Sequence, residues 1–144
     1  MMNHVKTLVL GGCLIALAGC TNFKAHSEVE ALNEAKAVGS PFTQFLASEY
    51  RDFSNRELNE MFDYPDALHF ARKGLATAGG ETVLPEPVSD WNLLPNHMEE
   101  LGTARGRLIT AFDLGAREVA PKEAAIAQSR FDCWIEQQEE NWQE

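Results

Sequence analysis

The stretch Ser40–Phe53, SPFTQFLASEYRDF, decides the predicted fold. Ser40 followed by Pro41 is typical of a helix start, with serine as the N-cap and proline at the first helical position. The apolar residues that follow recur at intervals of three or four, which places their side chains on one face of a helix. These residues are Phe42, Phe45, Leu46, Tyr50 and Phe53. The stretch therefore predicts an amphipathic helix that needs partner elements to cover its apolar face.

The chain beyond this helix carries further helix signals. Ser54–Glu57 has the pattern of a capping box, which predicts the start of a second helix. The Tyr64–Asp66 segment ends or kinks that helix, and Gly79 and Gly80 terminate it. Asn96–Glu99 resembles another cap, and Pro121 separates the third and fourth long helices. With no stretch of strand-like alternation, we predict an all-α fold: a helical bundle of four to five helices after a lipoprotein signal peptide.

The segment Glu81–Pro95 is predicted to be a loop. Its three prolines forbid a continuous helix, whereas its valine, leucine and tryptophan side chains are too apolar for a segment that extends into solvent. We therefore expect this loop to lie across the helices.

The first twenty residues indicate export and lipidation. A short N-terminal segment with Lys6 precedes an apolar run over Thr7–Ala18, which is too short to span a bilayer but has the length of a signal-peptide core. The run ends in Leu17, Ala18, Gly19 and Cys20. This sequence looks like a bacterial lipobox, in which the cysteine thiol accepts a diacylglyceryl group.

The lipobox predicts the organisation of the whole chain. Residues 1–19 form the signal peptide, residues 20–39 a tether and short helix, and residues 40–144 a helical periplasmic domain. Thr21, in place of the aspartate that commonly retains lipoproteins in the inner membrane, favours the outer membrane. The only expected prosthetic groups are the covalent diacylglyceryl and N-acyl lipids on Cys20, which make the anchor effectively permanent. Glu144 falls inside the last helical pattern, so we expect this domain to be truncated at its C-terminus.

The charge balance excludes several classes of partner. The chain has 12 Lys and Arg against 22 Asp and Glu, a net charge of −10. Binding to nucleic acid phosphates requires a basic surface, and so does adsorption to anionic lipids. We therefore expect no nucleic-acid partner and contact with the membrane only through the lipid anchor.

The sequence contains no pattern that predicts catalysis or a metal site. Asp66 and His69 share one helix face, but a pair supplies two ligands where zinc needs three or four. The acidic residues Glu136, Glu139 and Glu140 are typical of a solvated helix surface, with a docking patch for a basic partner as the alternative. We predict no catalytic residue and no metal site.

Three residues near the C-terminus are candidates for an interaction or unpaired-thiol site. Cys133 is the one cysteine that is neither removed with the signal nor lipidated, so it is either buried as a small hydrophobe or paired outside this chain. Trp134 fits a helical core pattern or an interface. Trp142 would be exposed here and buried in a longer protein.

Three segments resemble the N-terminal region of Gram-negative OmpA-family lipoproteins. They are Glu49–Phe53, Tyr64–Pro87 and Phe131–Gln143, the last reading FDCWIEQQEENWQ. In that family a lipobox and a helical region precede an OmpA-like domain that holds peptidoglycan, and a second cysteine would be the natural partner of Cys133. Neither lies within these 144 residues, so the resemblance implies peptidoglycan contact only through a downstream domain.

The resemblance and the lipobox together predict a lipid-anchored structural or spacer module of the cell envelope, with a protein partner still to be identified. The alternative is a small helical chaperone or pilot lipoprotein that binds a partner of an envelope machine. That alternative requires an exposed apolar groove, which the Glu81–Pro95 loop would form with Phe131 and Trp134.

Overall fold

The computed structural model describes residues 21–140. Within them the chain is an all-α bundle with six helices and no strand, which confirms the predicted fold class. The helices are α1 (residues 21–34), α2 (Pro41–Arg56), α3 (Tyr64–Ala78), α4 (Pro95–Asp113), α5 (Ala116–Val119) and α6 (Pro121–Glu140). This is one helix more than the upper predicted number of five, because Gly115, at φ +90°, separates α5 from α4.

Helix α2 lies at the centre of the bundle and packs mainly against α3 and α6. It begins as predicted, since the Ser40 hydroxyl accepts a hydrogen bond from the Thr43 backbone N–H at 3.2 Å. The predicted apolar face is buried against these neighbours, with the exception of Phe45, which is 41% exposed. The buried members are Phe42, Leu46, Tyr50 and Phe53.

The predicted capping box at Ser54 and Glu57 is wrong. Ser54 lies inside α2, is fully buried and donates to the Arg51 carbonyl at 3.2 Å. The helix then widens into a π-helical turn over Glu57–Met61, and the chain reverses at Phe62, which adopts a left-handed φ of 59°. The true start of α3 is capped by Asp63, whose side chain accepts from the Asp66 backbone N–H at 3.0 Å.

The segment predicted to be a tether is helical instead. Residues 21–27 belong to α1, which packs its buried side chains Ala25, Val29 and Leu32 onto α2 and α3. Gly74 of α3 permits this close approach, because a Cβ atom there would lie 2.5 Å from Leu32 Cδ2. The Arg51 side chain donates to the carbonyls of Leu32 and Ala35, so it satisfies acceptors at the C-terminal end of α1.

The loop between α3 and α4 lies across the helices, as the sequence predicts. Pro85 and Glu86 are buried, and the Arg105 side chain of α4 donates to both of their backbone carbonyls. Helix α4 starts at Pro95, with Leu94 as an N-cap that makes no side-chain hydrogen bond, so the predicted cap at Asn96–Glu99 is wrong. The loop thereby fixes α4 in place beside α6.

Several predictions fall on residues outside those the structure describes. These are the signal peptide at 1–19, the lipobox residues Leu17, Ala18 and Gly19, the lipidation site Cys20, and Trp142. Among the helices of residues 21–140, none combines the length and the apolar character needed to cross a membrane.

Candidate functional site

A buried ionic network lies where α2, α3, α6 and the Glu81–Pro95 loop meet. Its centre is Lys73 of α3, whose side chain is 11% exposed. The Lys73 Nζ donates to Glu86 Oε1 at 2.5 Å and to Asp132 Oδ2 at 2.7 Å. The second oxygen of Asp132 accepts the Glu86 backbone N–H at 2.8 Å. Lys73 and Asp132 therefore join the loop to both α3 and α6.

Two further polar side chains complete the network inside the core. The Tyr50 hydroxyl donates to Asp132 Oδ2 at 2.5 Å and accepts from Gln128 Nε2 at 3.0 Å. Gln128 Nε2 also donates to the Val83 carbonyl at 3.1 Å. Tyr50, Gln128 and Asp132 are all fully buried, so these bonds replace the solvation that each group loses on folding.

The outer edge of the network is formed by His69 and Trp91, which both contact Glu86. His69 Nε2 lies 3.0 Å from Glu86 Oε1, and Trp91 Nε1 donates to Glu86 Oε2 at 3.2 Å. The hydrogen bond to Glu86 raises the pKa of His69 above its usual value, although burial opposes this. His69 therefore pairs with Glu86 and not with Asp66, the partner considered in the sequence analysis.

The pKa values of the two network carboxylates move in opposite directions. Burial raises the pKa of Glu86, but the His69 hydrogen bond and the Lys73 charge outweigh it and bring the pKa down to about 2. For Asp132, burial dominates and raises the pKa despite the Lys73 contact. Burial, and then the nearby Asp132 charge, also raise the pKa of Tyr50 well above its usual value.

This arrangement is suited to holding helices together. Each buried polar group has a partner within the network, apart from Gln128 Oε1. Tyr50 and Asp132 have no exposed surface from which to reach a substrate. The network therefore joins α2, α3, α6 and the loop through buried hydrogen bonds.

A second cluster consists of carboxylates alone and lies beside the start of α3 and the end of α6. Carboxylate oxygens of Asp63, Asp66 and Glu140 all lie within 4.8 Å of one another, and the three residues are partly buried. Glu57 and Glu136, which are 1% and 0% exposed, border them. The prediction that Glu136 belongs to a solvated surface is therefore wrong, because this side chain faces the interior.

The environment of this cluster raises the pKa of its members. Burial, followed by the Asp66 charge, raises the pKa of Glu57 to about 7. Burial raises the pKa of Glu136 to about 8, and the charges of Glu57 and Glu140 act in the same direction. A hydrogen bond from Gln137 opposes the change. Burial and then the Asp63 charge raise the pKa of Asp66 to about 6. The cluster therefore contains carboxyl groups that hold their protons to a higher pH than usual.

A third feature is an apolar groove of about 450 Å³ between α4 and α6. Its walls comprise Ala104, Arg107 and Leu108 of α4, and Ala127, Arg130, Phe131 and Trp134 of α6. Trp134, predicted to be core or interface, is partly buried and lines this groove together with the buried Phe131. The Glu81–Pro95 loop does not line this groove; its Val88, Trp91 and Leu93 pack instead against the cluster that contains Phe131.

Cys133 is half-buried and packs against the cluster of aromatic and aliphatic side chains around Phe53 and Phe70. No other cysteine falls within residues 21–140, and burial raises the pKa of the Cys133 thiol. A raised pKa leaves the thiol protonated and unreactive. Of the two predicted alternatives, this environment favours the buried small hydrophobe.

Neither polar cluster was predicted from the sequence, although α6 carries a signal for both. Ala124, Gln128, Asp132 and Glu136 follow one another at intervals of four residues, so they share one helix face with a buried alanine. The prediction placed only the apolar residues of α6 inside. No comparable signal identifies Lys73 or Glu86, whose roles depend on where the loop crosses α3.

Comparisons with models of protein families, with curated proteins and with solved structures find no match to this chain.

Proposed function

We propose that the chain is a lipid-anchored lipoprotein of the outer membrane whose helical body is a structural spacer of the cell envelope facing the periplasm. The observation that carries this proposal is the position of α1. Helix α1 is already formed at residue 21, directly after the lipobox Leu17–Cys20, and it packs into the bundle through Ala25 and Val29. Lipid on Cys20 would therefore hold a rigid body close to the leaflet.

The ionic network and the resemblance support the same assignment. A spacer must keep its shape, and Lys73 and Asp132 tie α3, α6 and the loop together through buried bonds. The OmpA-family resemblance implies the same order of parts, a lipidated cysteine and then a helical region. Contact with peptidoglycan would belong to a domain downstream of these 144 residues. We assign no catalytic residue, cofactor or nucleic-acid partner to the chain.

The experiment is cell fractionation of the Cys20→Ser variant. We expect the variant to leave the outer-membrane fraction, because serine cannot form the thioether that carries the diacylglyceryl group. Cys133→Ser is the matched control, since it makes the same substitution inside the bundle and should stay in the outer-membrane fraction. If Cys20→Ser remains there as well, the protein is not held by this anchor.

The groove between α4 and α6 favours a second function, that of a chaperone or pilot lipoprotein. Phe131 and Leu108 give it an apolar surface, and Arg107 and Arg130 line it without forming an ion pair to any described residue. These charges suit an amphipathic helix of a partner that carries acidic residues beside its apolar face.

A photo-crosslinking amino acid at Ala127, an exposed residue of the groove wall, tests this second function. We expect a discrete adduct in cells that is lost when Arg107→Glu and Arg130→Glu are added. The same crosslinker at Glu30, an exposed residue on α1, is the control. An identical adduct from both positions, or none from Ala127, would exclude groove-directed binding.

A further inference from the structure

The carboxylate cluster has the chemistry of a cation site. Asp63 caps the start of α3, Asp66 lies in the first turn of that helix, and Glu140 ends α6. Their carboxylate oxygens lie within 4.8 Å of one another, close enough for a single ion to contact all three. The three residues therefore offer oxygen ligands from two helices.

Two buried side chains beside this trio provide a second and independent observation. Glu57 Oε2 and Glu136 Oε1 are buried and have no hydrogen-bond partner, and Glu140 Oε2 is in the same state. Glu57 lies beside the trio, since its backbone carbonyl accepts the Asp63 N–H at 2.9 Å, and the charges of Asp66, Glu140 and Asp63 act on its carboxylate. Glu136 is affected in turn by Glu57, Glu140 and Asp66. Glu136 also lies one helical turn before Glu140 on α6, so both buried side chains border the trio.

No lysine or arginine of the described residues pairs directly with this group. None of the five carboxylates forms an ion pair with a lysine or arginine among residues 21–140. Buried carboxylates are normally paired or coordinate a metal, since an unpaired buried oxygen loses its hydration without compensation. A cation held by Asp63, Asp66 and Glu140 would supply Glu140 with a partner and would lie near the buried carboxyl groups of Glu57 and Glu136.

We propose that Asp63, Asp66 and Glu140 bind a divalent cation, with calcium as the expected ion, and that Glu57 and Glu136 complete or support its shell. Calcium takes six to eight oxygen ligands in flexible geometry and accepts carboxylates that bind through one or both oxygens. Zinc fits poorly, because the cluster contains neither cysteine nor histidine. The ion would link the start of α3 to the end of α6. This proposal is independent of the membrane anchor.

Calorimetric titration of the full chain with calcium chloride, after treatment with a chelator, tests the proposal. We expect one ion per chain. At a hundredfold excess over the dissociation constant, the thermal midpoint should rise by about 5–10 °C, because only the folded chain assembles the site. Absence of both a binding heat and a midpoint shift at up to about 10 mM calcium, above the range of the weaker protein sites, would overturn the proposal.

Single-charge variants separate a defined site from general surface charge. Asp66→Asn and Glu140→Gln should each weaken calcium binding by roughly tenfold or more, since ligand charge sets affinity. Both variants should fold, because each removes repulsion within the cluster. Glu123→Gln, at an exposed position on α6, is the control and should bind calcium as the parent does. An equal loss of affinity in the control would show that no defined site exists.

Discussion

Lys73 is the residue on which the buried ionic network depends. It is the only cationic side chain that contacts both Glu86 and Asp132 among the described residues. Replacing both members of a buried ion pair with apolar groups can be neutral, whereas removing one member leaves a charge without a partner in the interior. Lys73 therefore stabilises the folded chain mainly because it prevents an unpaired charge in the interior.

Lys73→Met tests this role. The variant keeps the length of the side chain but leaves Asp132 without a cation and Glu86 with His69 alone, so the free energy of unfolding at pH 7 should fall by about 3–5 kcal/mol. Urea denaturation measures this free energy of unfolding. Lys122→Met removes an equivalent charge from an exposed position on α6 and should change stability by less than about 0.5 kcal/mol. A loss below about 1 kcal/mol for Lys73→Met would mean that the network adds little.

Glu86 gives the network a defined dependence on pH. Its pKa is about 2 in the folded chain, below the usual value of 4.5, so the folded state favours the ionised form. The resulting stability is complete above about pH 4.5 and is lost as the pH falls towards 2. In this range the unfolded chain binds the proton more readily than the folded chain does.

Urea denaturation of the parent and Glu86→Gln at pH values between 6 and 2.5 measures this dependence. We expect Glu86→Gln to be less stable at pH 6 by on the order of 1–3 kcal/mol, because a neutral amide loses the Lys73 and His69 ion pairs. The difference should shrink as the pH falls, since protonation of Glu86 in the parent abolishes the same interactions. If the free energies of unfolding of the parent and Glu86→Gln differed by the same amount at every pH, the pKa assigned to Glu86 would be contradicted.

At the residue scale, sequence could predict apolar positions but not the buried polar ones. Phe42, Leu46 and Phe53 repeat at helical spacing, and burial follows from that repeat. Asp132 and Glu136 are also buried, but acidic residues are seldom buried without partners. Their partners come from α2, α3 and the loop, and nothing local to α6 predicts those contacts.

At the scale of elements, the least predictable region is the junction between α2 and α3. The Ser54–Glu57 pattern resembles a cap in sequence, but Ser54 is covered by packing and bonds back to its own helix. The π-helical turn Glu57–Met61 turns the Glu57 side chain inwards, next to the carboxylate cluster. A local signal was overridden by tertiary packing, which is the common failure of propensity arguments. The helices on either side were predictable because each has a long apolar repeat.

Helix α1 illustrates how a polar composition can hide a packed element. Residues 21–27 carry enough polar side chains to resemble a tether, but Ala25, Val29 and Leu32 recur at spacings of four and three and are buried. If α1 is an integral part of the bundle, it must unfold together with α2 and α3.

Leu32→Ala tests the integration of α1. Leu32 is fully buried against Gly74, so its truncation should lower the free energy of unfolding by about 2–5 kcal/mol in a single cooperative transition. Circular dichroism in urea measures both the midpoint and the cooperativity. Phe23→Ala truncates a side chain that is 75% exposed on the same helix and serves as the control. An unchanged midpoint for Leu32→Ala would show that α1 is a tether and not an integral part of the bundle.

At the scale of the whole molecule, the bundle is held by two different kinds of contact. Apolar side chains form its core around α2, whereas the Lys73 network fastens the loop to α3 and α6. The all-α fold could be predicted because helical periodicity is local. The loop path and the polar junction could not, since they depend on contacts such as that between Tyr50 and Asp132, which lie 82 residues apart.

The central claim is that this body is tied to a lipid leaflet through Cys20. Mass spectrometry of the mature protein extracted from membranes tests it most directly. We expect a chain that starts at Cys20 and carries a diacylglyceryl group on the sulfur and an acyl group on the amine. A peptide that spans residues 19 and 20 without cleavage, or a Cys20 with a free thiol, would contradict it.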